Sequence, residues 1–240
     1  MENSILATLS LGFALGLKHA TEADHLAAVS TIVSERRSIL QSARVGGLWG
    51  LGHTASLFIA GLLVIVLGIA IPERVASVLE FCVALMIVTL GTRLLYLTLR
   101  TTRTVHVHSH THGGKPHFHL HFHQSHDSHS VYQSHDGLHS GLSRWRTFFV
   151  GVVHGLAGSA ALTLLVLTEV MRNGSRVLGL SYLLVFGIGS IGGMLIMSSL
   201  IGIPFVLGSR FLRRAPELLQ FSAAVASVAF GIYYGWQIIS

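Results

Sequence analysis

The stretch "GLKHATEADHLAAVS", Gly16–Ser30, sets two histidines, an aspartate, a glutamate and a lysine inside an otherwise apolar part of the chain. A charged side chain at membrane depth costs on the order of 3 kcal/mol or more, so it persists there when it has a partner or a task. The flanking sequence points to membrane depth. Of 240 residues, 51% are hydrophobic and 11% charged, with a mean hydropathy of +0.64, whereas soluble domains carry about 25% charged residues. Apolar runs lie at Ile5–Val33, Val45–Ile71, Val75–Leu99, Phe148–Met171, Val177–Leu207 and Leu218–Ile239. Each reaches the ~20 residues a spanning helix needs. The expected fold class is all-α, a polytopic membrane protein with six transmembrane helices.

Glu2, Asn3 and Ser4 offer no basic start to a signal peptide, so the first apolar run is expected to be retained. Cys82 is the single cysteine, which excludes intramolecular disulfides and paired-cysteine redox chemistry. With alternating sides assigned, Arg36, Arg37, Arg44, Arg100, Arg103, Lys115, Arg144, Arg146, Arg210, Arg213 and Arg214 share one side, against Arg74, Arg172 and Arg176 on the other. The positive-inside rule makes the richer side cytoplasmic. Both termini are then expected outside, with the long connection between the third and fourth spans in the cytoplasm. The basic residues read as topology, not as a nucleic-acid surface.

That connection, residues 100–146, divides the chain into two three-helix groups, 1–99 and 147–240. "LEFCVALMIVTLG" (Leu79–Gly91) aligns without gaps on "LQFSAAVASVAFG" (Leu219–Gly231), and "GFALGL" from Gly12 matches "GVVHGL" from Gly151 at nearly the same offset. Three helices per half is an odd number, so a real repeat is inverted. That 3+3 design belongs to transporters whose sites lie near the bilayer midplane.

Within the opening stretch the spacing is HxxxxDH: His19, Asp24, His25. On a regular helix Asp24 lies about 140° and His25 about 240° round from His19. Either the helix is unwound here, as in transporter sites, or the residues divide into ligands and supporting groups. A third reading makes the motif a loop at the cytoplasmic edge after a short buried helix. Lys18 and Glu22, at i,i+4, are expected to neutralise each other. His53, in "GLWGLGHTASLF", and His154, in "GVVHGLAGSAALTLL", are further intramembrane histidines, on the second and fourth spans. Lone buried histidines are usually structural, but four on the first two helices of each half favour one shared site. Imidazole with carboxylates suits Ni²⁺, Co²⁺, Cu²⁺ or Zn²⁺, whereas Mg²⁺ and Ca²⁺ call for oxygen alone. Met194 and Met197 are read as packing residues.

Residues 100–146 hold the other histidines, many alternating as "HVHSHTH" and "HFHLHFH": His106, His108, His110, His112, His117, His119, His121 and His123. Such a tract cannot bury an apolar core and is expected to be disordered without metal, a polydentate imidazole buffer.

The HxxxxDH of "HATEADHLAAVS" together with "LGHTASLF" resembles the paired signatures of the nickel/cobalt permease (NiCoT) family. The "HGLAGSAALTLL" run on a six-span chain is similar to that superfamily's UreH-like branch, small membrane proteins often associated with urease nickel supply. The resemblance implies metal recognition by His19, Asp24 and His25, with His53 as a further site residue; the residues themselves add Glu22 and His154 as candidates. Larger permeases have more helices and usually an aspartate where Glu22 stands, and a long histidine-rich loop is reminiscent of efflux proteins.

The expected function is secondary transport of Ni²⁺ or Co²⁺, with Zn²⁺ within the same ligand chemistry, into the cell across the plasma (inner) membrane. The ion is the cargo, no cofactor is implied, and no HExxH or GxxxxGK[ST] motif signals an enzyme or an ATPase. Expected partners are the metal ion, the lipid bilayer and a cytosolic nickel chaperone or urease accessory protein. Export, and metal delivery to a soluble enzyme without transport, are the alternatives.

Overall fold

The computed structural model describes residues 2–36, 38–67, 72–101, 106–112, 115–121, 144–157, 176–211 and 215–240. The first apolar run folds as two short helices, α1 (Glu2–His19) and α2 (Ala23–Val33). The break has a local cause. Both the N–H and the hydroxyl of Thr21 donate to the Lys18 carbonyl, at 2.8 and 2.6 Å, and the Glu22 N–H donates to the His19 carbonyl at 3.1 Å. Side chains of this kind offer the backbone an alternative to continuing the helix. Glu22 is then extended, at φ −66° and ψ 150°, and its carbonyl receives the first bond of α2.

Five more helices follow: α3 (Ile39–Leu67), α4 (Glu73–Thr101), α5 (described over residues 144–157), α6 (Arg176–Phe211) and α7 (Ala215–Ile239). Of these, α3, α4, α6 and α7 are long and apolar enough to cross a membrane. They correspond to the second, third, fifth and sixth expected spans. The first expected span is the broken α1–α2 pair. The fourth begins as α5, and its continuation through Met171 lies outside the described residues. The chain is therefore a helical, membrane-embedded protein. Large apolar side chains such as Leu63, Val78, Leu85 and Ile232 are exposed on its flanks, the surface a bilayer requires. Trp49, Ile87, Val29, Val33 and Met194 pack inside, Met194 as a packing residue.

Helices α3 and α6 pack along each other, as do α4 and α7 and α1 and α6. Each pair relies on close backbone approach, which small residues permit where lipid supplies no hydrophobic drive. In the α4–α7 pair the contacts are reciprocal. A Cβ on Gly91 would sit 3.0 Å from the Ala224 carbonyl oxygen and 2.9 Å from Val228; one on Gly231 would sit 3.1 Å from the Ala84 carbonyl oxygen and 2.7 Å from Val88. Those residues are equivalent in the alignment of Leu79–Gly91 on Leu219–Gly231, and the pairing runs antiparallel. The second-span helices behave likewise, since Gly46 meets Ser198, Thr54 meets Gly187 and Gly61 meets Leu183. Helix α5 lies backbone to backbone on α3, because a Cβ on Gly52 would strike the Phe148 carbonyl and one on Gly151 the Trp49 carbonyl.

The connection departs from its expectation of disorder. His106–His112 (β1) and Lys115–His121 (β2) form an antiparallel hairpin. The physical reason is in the pattern itself: histidine alternating with Val, Ser, Thr, Phe and Leu has the period of a strand. The remainder of the connection, with His123, lies outside the described residues.

A Gly52→Val substitution should therefore part α3 from α5 and abolish monodisperse protein in detergent. Gly47→Ala, at a position where a Cβ meets nothing within 4 Å, should leave the elution profile and melting temperature unchanged. Equal behaviour of the two variants would contradict this packing.

Candidate metal site

The helix break places its side chains where an intact helix would scatter them. His19 ends α1, and Asp24 and His25 stand in the first turn of α2. His53 stands on α3, a helix long and apolar enough to cross a membrane. His19 Nε2 is 3.1 Å from His53 Nε2. The motif is thereby packed against α3 and buried among the helices. Helix α5 delivers His154, whose Nε2 donates to Asp24 Oδ2 at 2.8 Å. The rings of His25 and His154 are 4.1 Å apart between centroids, and those of His19 and His25 4.5 Å.

Asp24 organises this cluster. Its Oδ1 accepts from the backbone N–H of His25 at 2.9 Å and lies 3.0 Å from His25 Nδ1, while Oδ2 accepts the hydrogen bond of His154 Nε2–H. With both ring protons directed at the carboxylate, His25 presents a bare Nε2 and His154 a bare Nδ1. Both atoms are buried and have no hydrogen-bond partner. A carboxylate that fixes the tautomer and aim of a ligating imidazole is the usual support around protein-bound metals. The pairing expected between Lys18 and Glu22 is corrected here: Glu22 turns instead to His19, with Oε2 2.9 Å from its Nδ1. This leaves His19 Nε2 facing His53.

Two overlapping groups of donors result. His19, His25 and His53 hold one ligand atom each within 4.8 Å of one another, as do Asp24, His25 and His154. Two nitrogens bound ~90° apart at ~2.1 Å from one ion sit about 3.0 Å from each other, close to the His19–His53 separation. His25, His53 and His154 are each at most 1% exposed, so a cation here would be dehydrated and bound by the protein alone. The acidic Asp24 and Glu22 supply compensating negative charge.

Two residues of the site's wall carry no motif. Trp49 lies 5.4 Å from both His25 and His154 between ring centroids, and Phe186 lies 5.6 Å from His19. Trp49 was findable, four residues before His53 on the same face of one helix. Phe186 sits in an unmarked apolar run of α6, and nothing in its local sequence signals a neighbour of His19.

Of the histidines in the connection, the hairpin sets position 106 opposite 121, 108 opposite 119 and 110 opposite 117, with His112 opposite Lys115. Directly opposed residues share a face of the ladder, so the alternation stacks histidine positions in pairs.

A bundle of apolar helices enclosing a buried imidazole–carboxylate cluster is the geometry of a candidate cation site in a membrane protein. The chain belongs to the NicO family of high-affinity nickel-transport proteins, whose model matches residues 5–230, and within the nickel/cobalt permease superfamily it falls in the UreH-like branch. It is 37% identical over 230 residues to the urease accessory protein UreH of Bacillus sp. (strain TB-90), covering 96% of this chain and 91% of the relative. It is 28% identical over 233 residues to the chloroplast protein FOR GROWTH AND FERTILITY 2 of Arabidopsis thaliana, 97% of this chain and 57% of that protein. A high-affinity nickel transport protein of Cupriavidus necator (strain ATCC 17699) shares 38% identity over 74 residues, 29% of this chain and 20% of that one. No solved structure matches.

Replacing His154 by Ala or Asp24 by Asn should weaken the tightest Ni²⁺ equivalent on the purified chain by about 10- to 100-fold, the usual effect of losing such support. Equilibrium dialysis against a competing chelator measures it. Wild-type affinity in both variants would separate α5 and Asp24 from metal recognition.

Proposed function

We propose that this chain is a secondary transporter that takes Ni²⁺ or Co²⁺ into the cell across the plasma membrane. The observation that carries the reading is the convergence, from α1, α2, α3 and α5, of four buried imidazoles around one carboxylate. Imidazole nitrogen with sparse oxygen and no thiolate selects the borderline divalent ions, and membership of a nickel-transport family narrows them to Ni²⁺ and Co²⁺. His19, His53 and His25 are the ligands of the first donor group, and His25, His154 and Asp24 those of the second. Because His25 belongs to both, an ion passes from one to the other by exchanging two ligands while keeping one, without a fully unbound stage.

The architecture that suits this is a six-span 3+3 inverted repeat, residues 1–99 and 147–240, flanking the cytoplasmic connection 100–146. The reciprocal, antiparallel α4–α7 contacts at equivalent residues support it, as does the antiparallel α3–α6 pair. A divalent ion moving inward gains about 4.6 kcal/mol per 100 mV, at ~2.3 per charge, so uptake needs no nucleotide. Both termini lie outside in this arrangement. The paired histidine positions of the hairpin, together with His123, then buffer arriving metal in the cytoplasm, with a grip that loosens as imidazoles protonate near pH ~6.5.

A second reading is favoured by one finding, the name of the 37% identical relative, a urease accessory protein. In it the connection hands nickel to a soluble partner such as a nickel chaperone or urease accessory protein, with or without transport.

Proteoliposomes holding only the purified chain should accumulate ⁶³Ni²⁺ under an inside-negative potential. His19→Ala should abolish accumulation, whereas deletion of residues 105–140 should reduce it less than tenfold. Liposomes that take up no more nickel than protein-free controls would reject transport in favour of delivery. Lowered nickel content in cells expressing the chain would instead mean export.

A further inference from the structure

Away from the histidine cluster, a cavity of about 730 Å³ opens between α2, α4 and α5. One stripe of α4 lines it, Cys82, Leu85, Met86, Thr89, Leu90 and Arg93. That spacing follows a single helix face over about 16 Å of rise. Its two ends differ in chemistry. Toward the end of the bundle that bears the 100–146 connection stand Arg36, Arg93 and Arg146, with Glu35 bonded to Arg93 at 3.0 Å. Three guanidiniums and one carboxylate line that rim. Deeper in, the walls are Ile32, Met86, Leu90, Val150 and Val153. Leu85 and Phe149, which flank the cavity, are exposed on the outer surface, so it opens sideways toward lipid.

We propose that this cavity is a binding site for one anionic phospholipid, its phosphate held by Arg36, Arg93 and Arg146 and an acyl chain laid along the α4 stripe. The cationic rim repels a divalent cargo, so the cavity is not an extension of the ion's route. A small soluble anion would satisfy the arginines but leave the apolar walls unfilled. A lipid entering from the flank meets both demands, since guanidinium groups pair with phosphate oxygens through two parallel bonds, and basic pockets between membrane helices hold anionic head groups. The consequence falls on α2. Thr31 and Ile32 of that helix line the cavity, and Arg36 follows its end, while Asp24 and His25 form its first turn. A bound lipid braces the far end of the short helix that aims the histidine cluster. The lipid site stands whether or not the cluster carries metal.

Native mass spectrometry of the full-length chain tests it, with phosphatidylglycerol, phosphatidylcholine and inorganic phosphate as probes. The expected result is a single phosphatidylglycerol adduct retained at least tenfold better than phosphatidylcholine, no adduct with inorganic phosphate alone, and at least tenfold weaker retention in the Arg36→Gln, Arg146→Gln double variant. Val150→Trp, which fills the apolar part and spares every arginine, should also displace the lipid; it decides the matter if the double variant is not monodisperse. Equal retention of the two lipids, retention unchanged in Val150→Trp, or a phosphate adduct that outcompetes the lipid would overturn the proposal.

Discussion

The Asp24 carboxylate, with one oxygen toward His25 and the other toward His154, is the interaction on which the rest of the site depends. It joins the N-terminal half of the chain to the C-terminal half within the helix bundle, where an unpaired buried charge is costly. By accepting a ring N–H hydrogen bond from each imidazole, it leaves the other nitrogen of each ring bare. Remove the carboxylate and both rings lose the bond that orients them, and the second donor group loses its oxygen ligand.

That arrangement is possible only because the first membrane run is broken. The interruption at Ala20–Glu22 has two electrostatic effects. The C-terminal end of α1, with its partial negative charge, points at His19, favouring a cation there. The N-terminal end of α2, unfavourable to a cation, is offset by Asp24 in its first turn. Close backbone packing does the remainder, since α5 can bring His154 within reach only because Gly52, Gly151 and Gly155 allow it to lie on α3. A helix-spanning core of small residues is thus a positioning device as well as a packing one.

The proposed transport rests on dehydration. A cation at this site would exchange its water for imidazole and carboxylate donors that are already oriented and buried. In that proposal His25, shared between the two donor groups, holds the ion while its other ligands change. The hairpin of the connection sets histidine positions opposite one another in register. The arginine-rimmed cavity adds a contact with the bilayer itself, at the opposite end of the short helix that carries Asp24.

Hydropathy determined the membrane class, and the spacing of charges within Gly16–Ser30 singled out the residues that required an explanation, because both are local properties of the chain. The alternation in the histidine tract was equally local; its strand period was present but was outweighed by polarity, which is why disorder was expected. The angles computed for an unbroken helix set His19 apart from Asp24 and His25, and sequence could only leave open whether the backbone unwound. The structure decided that, through the local hydrogen bonds of Thr21 to Lys18 and Glu22 to His19 that end α1. It alone brought His154 across to Asp24, turned Glu22 from Lys18 to His19 and walled the site with Phe186. The contacts of His154 and Phe186 join residues distant in sequence, and they are set by which helix faces can approach closely enough to touch.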